Sequence, residues 1–550
     1  MTHAFCESLA PFAGRSFSQD LKNYHQARDR LLRLLCCFTG LRERSCALRD
    51  SLIPSQFGSG EFMHDGNPST LDLQATAKQI MQQRGFQPDF PPEVSQQVAE
   101  LKVHPPQVAP AGNIGDLRNL LWSSIDNDTS RDLDQIEVAE RLPNGDVKIM
   151  IGIADVDAFV PKQTPIDQHA ARETTTVYAG VRNFPMLPEE LSTGITSLLE
   201  NQDRLSVVVE FVVDSSGSLK SSNVYRALVR NQAQLQYNSL GAWLEGTAPA
   251  PPKVTASKDL QAQLKLQDEV AQKLKEQRFQ HGALTLQSDE LQPLLLNDQV
   301  VDVVKQQKNR ATELIEDFMV AGNGVVARML EKVSSLRRIV RTPKRWDRIV
   351  QLAASKGEKL PAQPDSKALN DFLLRRKAAD ADHFADLSLA VIKLIGPGEY
   401  VLERPGEVAP GHFGLAVQDY THSTAPNRRF VDVVSQRVLK AMLAGQPNPY
   451  SDAELTSIAA NCTEKENAAK KVERDMSKRL VAMAMKNHIG EVFDAIVSGV
   501  TEHGTFVRVL QPRIEGLLTQ GAQGLDVGDK LRVKLIRADA RLGYIDFTRA

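Results

Sequence analysis

The sequence predicts an α+β chain: strands followed by long helices, a C-terminal stretch of short strands and a small helical unit at the N-terminal side. Three observations predict this. Ile136 and Val138 alternate with polar residues, then lead through Pro143-Asn144-Gly145-Asp146 into the apolar run Val147–Val160, as a hairpin entering a buried strand does. Apolar residues recur at helical spacing near 312–330, 431–443 and 463–487. Residues 489–550 return to short alternating stretches broken by glycine turns.

Composition sets the frame. The 550 residues are 42% hydrophobic and 24% charged, the profile of a globular protein with about three or four domains. Lys plus Arg number 66 and Asp plus Glu 68, a formal net charge of −2, which excludes a binder driven by a basic tail but not a local basic channel. No apolar run reaches the roughly 18 residues of a membrane span. The N-terminus lacks the basic then apolar pattern of a secretory signal, and five cysteines make no disulfide framework. The expectation is a cytoplasmic monomer that does not engage a membrane.

In chain order, residues 1–62 read as a poorly integrated extension that holds four of the five cysteines and one helix near Leu21–Phe38. Residues 63–110 read as a small helical domain, with Leu71, Leu73, Ile80, Met81, Val94, Val98 and Leu101 on its apolar faces and a Pro-rich connector at 103–110. Strands begin near 117, and Asn144-Gly145 suits a type I′ turn. A Pro/Ala linker at Gly246–Pro252 precedes a helix carrying Leu260, Leu264, Ala271 and Leu274. The third domain spans 111–485 and the last 486–550.

The most informative stretch is Ser124–Gln135, where Asp126, Asp128, Asp132 and Asp134 fall within nine residues. Like charges this close repel unless a cation or strong donors compensate. Three readings compete: a solvated acidic loop, a calcium loop, and a catalytic Mg²⁺ site for phosphodiester chemistry. An EF-hand register is met at six positions, but Arg131 stands where the sharp turn needs Gly.

The stretch resembles the metal-binding motif of the ribonuclease II family (RNB domain), and further resemblances follow in order. They are Ile151-Gly-Ile-Ala-Asp-Val156, Asn183-Phe-Pro-Met-Leu-Pro188, Glu316-Asp-Phe-Met-Val-Ala-Gly-Asn323, and Phe413-Gly-Leu with Tyr420, Ser423-Thr-Ala-Pro-Asn-Arg-Arg429, Asp432 and Arg437. The resemblance covers roughly 115–485. It implies a mixed-sheet RNB catalytic domain and a processive 3′→5′ hydrolytic exoribonuclease that releases nucleoside 5′-monophosphates from single-stranded RNA. It also implies Mg²⁺ (with Mn²⁺ as the alternative) at Asp126, Asp132 and Asp134, with Asp128 and Gln135 beside them. Asp134 is the leading catalytic carboxylate, and Arg428 is the guanidinium on the scissile phosphate. Tyr178, Tyr237, Glu316, Glu473 and Arg429 are expected on the RNA.

Four positions depart from the family pattern. Gln135 stands where the motif has a second adjacent aspartate. Leu286 stands where an aromatic sandwiches the 3′ bases. The signature reads Thr424-Ala-Pro-Asn427 where the family has Thr-Ser-Pro-Ile. Gln135 and Leu286 motivate an alternative, a catalytically weak RNA-binding or regulatory protein on the same fold. The two cold-shock-like domains that often precede the catalytic domain are not seen in 1–110.

The tail resembles an S1-type OB-fold RNA-binding domain through Gly490, Val492, His503-Gly504, Phe506-Val507, Glu515-Gly-Leu-Leu518 and Val527-Gly-Asp529. Phe506 is expected to offer a stacking platform, and Arg508, Lys530 and Arg532 phosphate contacts. A basic cluster at Arg337, Arg338, Arg341, Lys344, Arg345 and Arg348 is a second candidate RNA channel.

Overall fold

The computed structural model describes residues 70–106, 114–287, 291–296, 299–305, 308–381, 383–512 and 514–550. The extension over 1–62, with its predicted helix and four cysteines, lies outside the described residues.

Two helices come first, α1 (Thr70–Gln83) and α2 (Pro92–Val103). Pro92 opens α2, where its missing N–H is no loss. The apolar stripes are as the spacing predicts, but they form no core of their own. Val94 and Val98 enter the main core, whereas Leu73, Ala77, Ile80, Met81 and Phe86 join a second cluster that includes barrel residues.

The main sheet is built from β1 (Ile114–Asp116), β2 (Ser123–Asp126), β3 (Gln135–Arg141), β4 (Val147–Ala154), β7 (Asp203–Val213), β8 (Leu219–Arg230) and β9 (Ala233–Gln236). A small pair, β5 (Val177–Tyr178) and β6 (Asn183–Phe184), interrupts the run, and α3 (Pro165–Glu173) precedes it. The strand order is β1-β8-β7-β4-β3-β2-β9, parallel at β1/β8 and β2/β9 and antiparallel between, so the sheet is mixed as predicted. The β3–β4 turn differs from expectation. Gly145 has φ +89° and its N–H bonds to Leu142 O, while Asn144 keeps a negative φ. Pro143 holds the first central position, and its ring cannot take the positive φ of a type I′ turn. The result is a type I turn closed by a left-handed glycine.

Helices α4 (Tyr237–Leu244), α5 (Pro252–Ala256), α6 (Lys258–Gln280) and α7 (Arg310–Met329) follow, with the pair β10 (Leu291–Leu296) and β11 (Gln299–Lys305) between the last two. Arg141 of β3 pairs with Glu269 of α6. Gly322 lets α7 close on β4: a Cβ there would sit 3.2 Å from Ile151 Cδ1. Trp122, Ile136, Ile151, Phe211 and Phe318 are buried in this core.

Next come β12 (Ser335–Ile339), α8 (Trp346–Ser355), α9 (Ser366–Ala379), α10 (Phe384–Ile395) and β13 (Glu399–Glu403), then α11 (Phe430–Leu443) and α12 (Asp452–Met485). Trp346, Ile349, Phe372, Leu373 and Phe384 form a satellite core among α8, α9 and α10. α12 opens on a capping box between Ser451 and Glu454 and runs 34 residues, about 50 Å at the α-helical rise. Its Val472, Met476 and Leu480 pack with Val533 and Phe547 of the closed barrel. The barrel strands are β14 (Val492–Thr501), β15 (Gly504–Val509), β16 (Glu515–Gln520), β17 (Lys530–Asp539) and β18 (Tyr544–Arg549), ordered β14-β15-β16-β18-β17. No helix among the described residues is long and apolar enough to cross a membrane.

Candidate active site

The acidic loop joins two neighbouring strands, so its carboxylates are held at one end of the sheet. Asp126 is the last residue of β2, and Asp134 immediately precedes β3. Asp134 is 2% exposed, and its carbonyl accepts Ala154 N–H from β4. Its Oδ1 accepts the backbone N–H of Asn427 at 2.9 Å, and its Oδ2 lies 3.4 Å from Arg428 Nε. Burial pushes its pKa up to about 7, outweighing the downward pull of Arg428 and Asn427. Asp126 Oδ1 accepts Asn127 N–H at 2.7 Å and Ser130 Oγ at 2.8 Å; burial raises its pKa as well, and Asp132 adds to the rise.

Asp132 Oδ2 accepts the Tyr178 hydroxyl at 3.2 Å, and Tyr178 N–H donates to Glu473 Oε1 at 3.1 Å. The segment before Tyr178 is sewn to the Arg428 loop: Thr176 N–H donates to Arg428 O, and Phe430 N–H to Thr174 O. Tyr237 opens α4 one residue after Gln236, the β9 partner of Asp126. The fold therefore gathers Asp126, Asp132, Asp134, Tyr178, Tyr237, Arg428 and Glu473. Arg428 keeps 44% of its side chain exposed, so part of its fork faces solvent.

Other expected residues lie differently. Asp128 sits exposed in the turn after β2. Gln135 is 8% exposed in β3, and its amide has no hydrogen-bond partner among the described residues. Glu316 is half-exposed and pairs with Lys308 at 2.6 Å. Phe506 alternates with buried Thr505 and Val507, so it faces out of the barrel and is half-buried.

Three expectations are corrected. Arg429 is no free RNA ligand: its Nε and Nη2 each lie 2.8 Å from the buried Asp432 carboxylate, which commits the guanidinium to holding the start of α11. Arg508 is spent on an ion pair with Asp386 of α10. The basic cluster is not a channel at its core. Arg337 is 1% exposed and paired with Glu403, and Arg338 is paired with Glu466, because β12 is covered by β13 and α12; Arg341, beyond the strand, is half exposed and pairs with Glu399. Leu286 packs half-buried against the satellite core around Trp346 and Phe372.

Two features escape the sequence. Asn427 supplies a backbone N–H to Asp134 and accepts the Thr196 hydroxyl at 2.6 Å; its only sequence signal is the departure after Pro426. Glu137 is fully buried with both carboxylate oxygens unpartnered, although the alternation read it as outward. Gln135–Val138, the first four residues of β3, are all buried, so alternation there does not separate inside from outside.

Among the described residues, no three His, Cys, Asp or Glu side chains close on a single point. The donors that Asp126 and Asp134 offer are carboxylate oxygens, the kind of ligand that hard cations such as Mg²⁺ take.

Comparison with known proteins places the chain in a family. Residues 114–445 match the RNB domain, and residues 491–550 match the RNase II-type exonuclease C-terminal S1 domain. Ribonuclease R of Thermotoga maritima is 30% identical over 501 residues, covering 84% of this chain and 68% of that protein. Ribonuclease R of Escherichia coli is 31% identical over 449 residues, covering 78% of this chain and 54% of its relative. The solved structure of Mycoplasma genitalium RNase R in complex with ribose-methylated single-stranded RNA superposes with a TM-score of 0.77 at 23% identity, covering 87% of this chain and 78% of that one; at this identity the likeness speaks for the fold. The RNB match begins at β1 and carries the site from Asp126 to Arg428, so this chain belongs to the RNB-domain family, with an RNase II-type S1 domain at its C-terminus.

Proposed function

We propose that this protein is a processive 3′→5′ hydrolytic exoribonuclease that acts on single-stranded RNA and releases nucleoside 5′-monophosphates with Mg²⁺, or Mn²⁺ in its place. The observation that carries the reading is the buried Asp134 carboxylate held between Asn427 N–H and Arg428. A bound divalent ion would activate water and neutralise charge on the phosphate. Asp126 and Asp134 would hold it, with Asp132 alongside. Arg428 presents its exposed fork to a phosphate oxygen and offsets charge in the transition state.

Asp132 fixes the Tyr178 hydroxyl, and Glu473 fixes its backbone, so the ring is preset for the terminal nucleotide. Tyr237 and Glu316 are the further RNA contacts in this reading. The protein works as a monomer in the cytoplasm. Support comes from the family membership together with convergence of the acidic loop and the Arg428 loop.

The test uses 5′-labelled single-stranded oligo(A) with Mg²⁺, with EDTA and Asp134→Asn as controls. A shortening ladder with released mononucleotide, lost in both controls, is expected. RNA binding without shortening would overturn the enzyme reading in favour of a binding protein.

A further inference from the structure

The loop that carries Asn427 and Arg428 is backed by aromatic rings that the proposed chemistry does not use. His422, immediately before Ser423, has its Nδ1 2.8 Å from the Tyr400 hydroxyl. The two rings meet edge to face, with centroids 5.6 Å apart. Tyr420 stands edge-on to His422 at 5.7 Å and to His412 at 5.5 Å. The Arg338 guanidinium lies over Tyr400, 4.7 Å from its centroid, and forks onto Glu466 of α12 at 2.7 and 2.8 Å. Gly398 makes the room, since a Cβ there would come within 2.5 Å of Arg338 Nη2.

These contacts form a continuous line. Arg338 and Tyr400 are directly opposite in the β12–β13 register. Arg338 N–H donates to Tyr420 O, and Thr421 Oγ1 to Leu336 O, so the segment leading to His422 is laid along β12. Ser423 then donates twice to Asn323 Oδ1, and Ala425 N–H donates to Asp432. At the other end, Glu466 lies two turns before Glu473 on the same face of α12. Glu473 is the residue that holds the backbone of Tyr178. Burial, followed by the nearby Arg429 and Arg338 charges, pushes the His422 pKa well below its ordinary value, so the ring carries no charge and its role is placement.

We propose that the Tyr400–His422 pair, clamped by Arg338 and Glu466, is a positioning device that sets the Asn427–Arg428 loop against Asp134 and keeps it in register with the Tyr178–Glu473 side. This rests on the exoribonuclease reading for its kinetic consequence, but not for its structural one. Tyr400→Phe removes one oxygen and keeps the ring, so the fold and the Arg338 stack persist.

The experiment measures single-turnover rate and KM on oligo(A) for wild type, Tyr400→Phe, Arg428→Ala and the double variant, and backbone amide exchange over 423–429. Expected are a rate about tenfold lower with KM within about twofold, faster exchange over 423–429, and no further loss when Tyr400→Phe is added to Arg428→Ala. An unchanged rate, unchanged exchange, or an equal loss in the Arg428→Ala background would each overturn it. If wild type shortens no RNA, the exoribonuclease reading falls, while the exchange result still decides whether the pair holds the loop.

Discussion

Asp134 and Arg428 stand 3.4 Å apart, carboxylate oxygen to guanidinium Nε, although one is 2% exposed and the other keeps nearly half its side chain in solvent. The buried partner orients the exposed one. Asp134 takes the near edge of the fork and leaves the rest of the guanidinium for an anion. Removing that fork should leave RNA capture largely intact and slow the chemical step. Arg428→Ala is expected to lower kcat by about 10²–10³-fold with little change in KM. Single-turnover assays on labelled oligo(A) check this, and a rise in KM alone would assign Arg428 to binding.

The raised pKa of Asp134 has its own signature. Without a cation, burial holds the carboxyl's proton up to about pH 7. A divalent ion favours the ionised form, so Mn²⁺ or Mg²⁺ binding at pH 6 should release a proton and weaken as pH falls below 7. Calorimetry in two buffers of different ionisation enthalpy reads the proton directly. Asp134→Asn should abolish the release.

Gln135 is buried beside Asp134 in sequence and brings no charge. Adding a carboxylate there raises the negative charge available to a cation. Gln135→Asp is expected to lower the Mg²⁺ concentration for half-maximal rate about five- to tenfold, since ligand charge tunes affinity for hard cations. A Mg²⁺ titration of activity, with Mn²⁺ binding by electron paramagnetic resonance, measures it. An unchanged titration would separate Gln135 from the metal.

Arg429 should behave unlike its neighbour. Its two-pronged pair with Asp432 is enclosed, so Arg429→Ala leaves an uncompensated buried carboxylate and should cost about 3–5 kcal/mol of stability. Thermal or urea unfolding reports the loss. Arg428→Ala, taken from the exposed side, should shift the unfolding midpoint little.

The sequence by itself determined what local pattern and motif order can carry. The strands, the long helices and the acidic loop are legible because periodicity and spacing reflect near neighbours along the chain, while the mixed sheet and the barrel follow from the order of motifs that carries the family resemblance. The turn at 143–146 differs from expectation only in type, because Pro143 occupies its first central position.

Tertiary structure alone decided partnership. Asp134 and Asn427 are 293 positions apart, and Arg338 and Glu466 are 128 apart. Nothing local to either partner records such contacts. Arg428 and Arg429 are chemically identical neighbours, yet the onset of α11 turns one to Asp432 and the other to Asp134 and solvent. Likewise Arg337 and Arg338 read as part of a candidate RNA channel until β13 and α12 cover them. The reason is physical: a charged group's role depends on which opposite charge meets it and how much water remains, and both are set when distant segments pack.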